Sequence, residues 1–184
     1  LFFKSLAGLS YLNYNKGDTK RVFEGAKLLL DYGERNSNSR SKLMGHWMNA
    51  FGHYMTGDIE SSQKSCEMAA EVALDPVYPL FPKVTLGMAY FLGGHFQEAE
   101  DVLRSLVSFS EKYTFGEALV PTCLFLAPTL IAKGHMKQGL RMLEEAQQTA
   151  IKNQRRVWYA LSEYILGKVY SQIALGIEMR RAQR

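Results

Sequence analysis

Four histidines and two cysteines are the residues best placed to ligate a metal or attack a substrate, and their spacing argues against both. His46 and His53 lie seven apart and would share a helix face, yet two imidazoles without a third Cys or carboxylate make no zinc site. His95 and His135 each follow a glycine and fit a turn better than a ligand set. Cys66 falls on the apolar stripe of a helix, where a buried thiol is inert. It is remote from Cys123, with no C-x-x-C pair, so a reducing, cytoplasmic setting is expected. There is no G-x-S-x-G elbow and no phosphate loop. Gly93-Gly94 resembles a phosphate cradle only until its repetition is noticed. The expectation is a chain without catalytic residues, metal or cofactor.

The repetition lies in the elements that would carry those residues. Turn signals recur at Lys16-Gly17-Asp18, Thr56-Gly57-Asp58, Gly93-Gly94-His95 and Lys133-Gly134-His135, so that Gly17, Gly57, Gly94 and Gly134 are separated by 40, 37 and 40 residues. Glycine just past a helix adopts the left-handed conformation at little cost, which makes these helix terminators. Seven residues before and five after each glycine stand Ser10 and Val22, Ala50 and Ser62, Gly87 and Ala99, Ala127 and Gly139, all small but Val22. Facing small residues let two antiparallel helices approach closely. After Gly94, the residues Phe96, Ala99, Leu103, Leu106 and Val107 follow the three-four spacing of one apolar stripe. Asp18 and Asp58 stand where a carboxylate caps the orphan N–H groups of a following helix, and the histidines at 95 and 135 would cap less well.

Strand signals are nearly absent. The polar or Pro-rich stretches Gly33–Lys42, Asp75–Pro82, Ser110–Glu117 and Lys152–Arg156 are too short for domain linkers. The reading is therefore an all-α, single helical-repeat domain over 1–184, about four and a half degenerate helix pairs at 1–33, 43–75, 80–110, 117–151 and 156–184. With 47% hydrophobic residues it can bury a sizeable core. Its 22 basic and 18 acidic residues are scattered, apart from Arg155-Arg156 and Arg180, Arg181 and Arg184, and lack the basic stripe of a nucleic-acid binder. The most apolar run, Ala118–Ala132, contains Pro121, Thr122, Pro128 and Thr129 and is shorter than the roughly 20 residues of a membrane span. Neither nucleic acid nor membrane is an expected partner. The chain starts Leu-Phe-Phe and stops in a helical pattern, so it reads as a piece of a longer polypeptide that would dimerise through an exposed end repeat.

Leu86-Gly87-x-x-Tyr90, Gly94, Phe96, Ala99 and Leu103 resemble a tetratricopeptide (TPR) repeat. The pattern recurs as Leu166-Gly167-x-x-Tyr170, and as Gly57-Asp58 with Ala69 and Asp75-Pro76. Elsewhere it is degenerate: Pro128 sits inside a first helix, where it should remove a hydrogen bond and bend the axis. The resemblance implies a right-handed α–α superhelix. Leu9-Ser10-Tyr11, Ala26–Leu30, Gly134–Ala146 and Glu163–Tyr170 look more narrowly like the C-terminal TPR array of large bacterial adenylate/guanylate cyclases, which carry a signalling-type ATPase module. No cyclase or nucleotide-binding residues are present, so this implies a parent protein and not an activity.

In such arrays the first helix of each pair lines a concave groove. The resemblance then assigns to the groove Tyr11 and Tyr14; Trp47, Phe51, Tyr54 and Met55; Val84, Met88, Phe91 and Leu92; and Leu124 and Ile131. An apolar channel rich in aromatic and Met side chains gives adaptable contact area, and the equal alternative is that long helices or a tight superhelix bury these residues within the chain itself. The implied role is a non-catalytic regulatory scaffold binding a protein segment or other domains of the parent chain. The alternatives are a small-ligand sensor using the groove as a pocket and, ranked below it, a nucleic-acid-binding repeat module.

Overall fold

A computed structural model describes residues 2–74, 77–112 and 116–182, so Asp75, Pro76 and Arg184 lie outside the described residues. Among the described residues there are nine helices and no strand: α1 Phe2–Asn15, α2 Thr19–Arg35, α3 Ser39–Thr56, α4 Ile59–Glu71, α5 Leu80–Leu92, α6 Phe96–Lys112, α7 Gly116–Ala132, α8 Met136–Lys152 and α9 Arg156–Ala182.

One hydrogen-bonded turn ends six of these helices. In each, a residue in the left-handed region bonds three residues back and the next residue bonds five back, which satisfies carbonyls the helix leaves orphaned. Gly17, Gly57, Gly94 and Gly134 take that conformation at φ 75°, 78°, 77° and 90°. Asp18, Asp58, His95 and His135 then donate to Asn13, His53, Tyr90 and Leu130 at 3.0, 3.0, 2.9 and 2.8 Å. Ser37 at φ 49° and Gln154 at φ 54° build the same turn without glycine, with Asn38 N–H on Gly33 O at 2.9 Å and Arg155 N–H on Ala150 O at 2.8 Å. The stretch Gly33–Lys42, expected to separate repeats, is thus mostly helix, and only Asn36, Ser37 and Asn38 connect α2 to α3. Left-handed positions at 17, 37 and 57, and again at 134 and 154, fall 20 residues apart, so the unit beneath the 40-residue period is one helix and its turn.

Caps start the following helices. Asp18, Asn38 and Asp58 accept from the backbone N–H of Arg21, Ser41 and Ser61 at 3.1, 2.9 and 3.1 Å. His135 makes no side-chain cap.

The chain divides into two compact units, Leu1–Val102 and Leu103–Arg184. The first has Ala7, Val22, Ala26, Leu29, Met48 and Phe51 at its core, the second Val120, Leu124, Ala127, Leu143, Ala146 and Ala150. Small residues set the helix spacing. In the first unit Ser62 Oγ donates to Ala50 O at 2.9 Å across α3 and α4, and Ser41 Oγ donates to Leu29 O at 2.7 Å across α2 and α3. In the second, a Cβ on Gly139 would stand 2.6 Å from Ala127 O. Opposite Ser10 the close partner is Gly25, where a Cβ would meet Ser10 Oγ at 2.0 Å, and not Val22, which is fully buried in the core. Gly45 gives α3 a like approach to α2, with Ala26 O 3.0 Å from its Cβ position. Pro121 and Pro128 both lie inside α7, which is assigned as one helix from Gly116 to Ala132.

Candidate functional site

Three first helices of the first unit bring their aromatic side chains together. Tyr14 of α1 stacks on Phe51 of α3 with centroids 4.1 Å apart, and Tyr11 lies 6.0 Å from Phe51 and 6.3 Å from Trp47. Trp47 continues the row, 5.2 Å from Phe51 and 5.4 Å from Phe81 of α5. Edge and offset contacts of this kind add about 0.5–1.5 kcal/mol per pair beyond area burial. The indole also has a polar anchor, since Trp47 Nε1–H donates to Thr85 Oγ1 at 2.9 Å. Met44 and Met55 pack against the same cluster.

Burial divides the residues assigned to this face. Phe51, Val84 and Met88 are buried within the unit itself, whereas Tyr11, Tyr14, Trp47, Tyr54 and Met55 are half-buried and form a rim. Burial raises the phenol pKa of Tyr11, Tyr14 and Tyr54, so each stays neutral and keeps an O–H donor at the edge of the apolar surface. Phe91 is half-buried, its ring 5.8 Å from Phe96, and Leu92 is 53% exposed. In the second unit Leu124 is fully buried in the core beside Leu143, and Ile131 is half-buried with Cγ1 2.5 Å from where a Cβ on Gly139 would stand. Those two side chains hold α7 against α8.

Phe81 is a member of the cluster that the sequence did not announce. Pro79 and Pro82 made its surroundings read as a connection, but α5 starts at Leu80 and takes both Phe81 and Pro82 into its first turn. That placement follows proline's tolerance where the N–H would be unpaired anyway. Among the repeat positions, Gly87 and Ala99 are buried as a close helix contact requires, and Tyr90 is half-buried beside the His95 ring. Their counterparts Gly167 and Tyr170 on α9 are exposed.

The polar side chains serve local structure. His53 Nδ1 lies 3.4 Å from Asp58 Oδ2 and edge-on to the Phe23 ring, and His95 Nδ1 lies 4.0 Å from Glu98. Burial lowers the pKa of His46. Burial likewise raises both thiols, Cys123 to about 11 and Cys66 further, which disfavours the nucleophilic thiolate. Among the described residues no three His, Cys, Asp or Glu side chains form a group that could hold a metal ion, and no helix is long and apolar enough to cross a membrane.

Turn, close contact and shared aromatic row define a class: an array of antiparallel helix pairs in which successive first helices present one face. Solved structures of TPR-like repeats are similar to it. A protein of Podosopora anserina assigned as a kinesin light chain, built of nearly identical TPR-like repeats, matches with a TM-score of 0.62 at 17% identity over 98% of this chain and 94% of that one. A variant of it matches with a TM-score of 0.65 at 17% identity, over 97% and 89%. The fold is therefore all-α and TPR-like. No protein-family model matches the chain, and no curated protein matches it either.

Proposed function

We propose that this chain is a non-catalytic protein-binding module that takes a peptide or helical segment against the face of α1, α3 and α5. The observation that carries this reading is the continuous aromatic row Tyr14, Phe51, Trp47 and Phe81. Its half-buried rim of Tyr11, Tyr54 and Met55 offers apolar area with O–H donors at the edge. Leu92, at the end of α5, is exposed. The segment comes from a partner or from other domains of a cytoplasmic signalling protein, the bacterial nucleotide cyclase with an ATPase module that the sequence resembles.

Selection of displayed peptides on the intact chain tests the site. Binders should lose roughly tenfold or more in affinity when Tyr54 and Met55 are both replaced by alanine, a change confined to half-buried side chains. Peptides that bind the double variant as tightly as the original chain would place recognition elsewhere. The parent reading has its own test: the open reading frame around this segment should encode a cyclase catalytic domain and an ATPase module.

A further inference from the structure

Tyr14, Tyr54 and Phe91 occupy one register position in the first unit. Each stands three residues before a turn glycine, and its backbone carbonyl accepts from that glycine's N–H, at 3.0, 3.2 and 3.1 Å. All three are half-buried. Because α1 packs on α3 and α3 on α5, the same turn on successive first helices sets one ring per helix near one height across the face. Tyr54 is near enough to Tyr14 to raise its pKa beyond what burial does, which brings the phenols of this row together. Helices packed side by side stand about 8–10 Å apart, and that distance is the spacing of the row.

The phenols are donors without acceptors. Among the described residues neither Tyr14 nor Tyr54 O–H donates to another group of the chain. Neither oxygen is sealed in, since the one fully buried side-chain polar atom without a partner there is Ser110 Oγ. Burial and neighbouring phenols raise the pKa of both tyrosines, with no charged side chain contributing. Trp47 already gives its N–H to Thr85, and the helices keep their carbonyls in their own bonds. The face therefore offers rings and free O–H donors, with few acceptors and no charge. A helical segment has no free carbonyls for those phenols, and an extended strand brings N–H groups that the face cannot accept. A proline-rich segment in the polyproline II form has free carbonyls and no N–H at each proline, and it repeats every three residues, about 9 Å. That repeat sets one proline on each first helix.

We propose that the aromatic face takes an uncharged proline-rich segment in the polyproline II form, crossing α1, α3 and α5 with a proline at every third residue against Tyr14, Tyr54 and Phe91. The two tyrosine O–H groups donate to carbonyls of the segment. The proposal rests on the reading of this face as the binding surface and names the chemistry of what it binds.

Fluorescence anisotropy on the intact chain tests this with a labelled, capped peptide of Pro-Pro-Ala repeats, beside a capped helical peptide of alanine and leucine of the same length. The proline peptide should bind saturably with a dissociation constant below about 1 mM, and the helical peptide should not displace it. Tyr14→Phe and Tyr54→Phe keep each ring and remove one donor, so each should weaken binding about fivefold, the worth of one hydrogen bond. Near-UV circular dichroism and the melting temperature should stay as in the original chain, because the rings remain. Absence of saturable binding by the proline peptide overturns the proposal, and so does binding that both phenylalanine variants leave unchanged. Failure of the wider reading looks different. Displayed binders that are amphipathic helices, yet lose affinity when Tyr54 and Met55 are replaced by alanine, would overturn the polyproline ligand and keep the face as a binding site. Binders indifferent to that double replacement would overturn both.

Discussion

Two glycines, one in α8 and one in α9, do opposite things. At Gly139 an added Cβ would stand 2.6 Å from the Ala127 carbonyl oxygen and 2.5 Å from Ile131 Cγ1, and the first of these is backbone that cannot swing away. Gly139→Ala should therefore destabilise by about 1–3 kcal/mol, the cost of overpacking outweighing the roughly 1 kcal/mol of helix propensity that alanine brings. Gly167→Ala meets only open space and should stabilise by about 1 kcal/mol. Chemical denaturation of the two variants checks the pair, and shifts of the same sign would remove close packing as the reason for Gly139. The spacing rule found Gly139 in the sequence because it lies five residues after a turn glycine. It missed Gly25, which faces Ser10 across α1 and α2, because a contact one turn further along the helix obeys no fixed distance from the turn.

At the scale of elements, the turns carry the periodicity, and not all of them needed glycine. Ser37 and Gln154 hold φ 49° and 54°, where a side chain strains the backbone by about 1–2 kcal/mol, so the sequence offered no punctuation at either place. Gln154→Gly should raise stability by about 0.5–1 kcal/mol, the relief of strain being reduced by the greater freedom of the unfolded chain. Gly57→Ala, at φ 78° with nothing near its Cβ position, should lower it by about 1 kcal/mol through conformation alone. Thermal melts of both variants decide between a conformational and a packing account of the turn. Asp58, which both caps α4 and faces His53, was legible because acidic caps have a sequence signature. Its hydrogen bonds from Ser61 hold its pKa below the ordinary 3.8, with His53 adding to the effect. A carboxylate depressed in the folded state contributes stability above its unfolded pKa and loses it as pH falls through the folded one. Asp58→Ala should accordingly lower the melting temperature at pH 7, and the gap from the original chain should close as pH falls below about 3.8. A gap unchanged in acid would mean that the carboxylate's charge is not what stabilises the cap.

For the molecule as a whole, the same locality that made the fold readable limits what could be read of the site. Helix pairs follow from glycine spacing and three-four stripes, which are properties of neighbouring residues. Whether Trp47, Phe51 or Met88 faces solvent depends on helices some forty residues away, and there the aromatic face proved partly closed on itself, with Phe51 and Met88 only 5% exposed. Leu124, on an equally apolar first helix, went wholly into the core of its unit for the same reason. Locality also governs how damage should spread, because an array in which each helix pair contacts the pairs next to it gains cooperativity from nearest-neighbour contacts. Leu29 is fully buried between α1, α2 and α3, so Leu29→Ala should cost about 2–5 kcal/mol. Hydrogen exchange followed by mass spectrometry should show that cost as faster exchange in α1, α2 and α3, with α8 and α9 keeping their original protection. An equal acceleration along the entire chain would instead mean that the helices unfold as one indivisible unit, and the nearest-neighbour description would then fail for this protein.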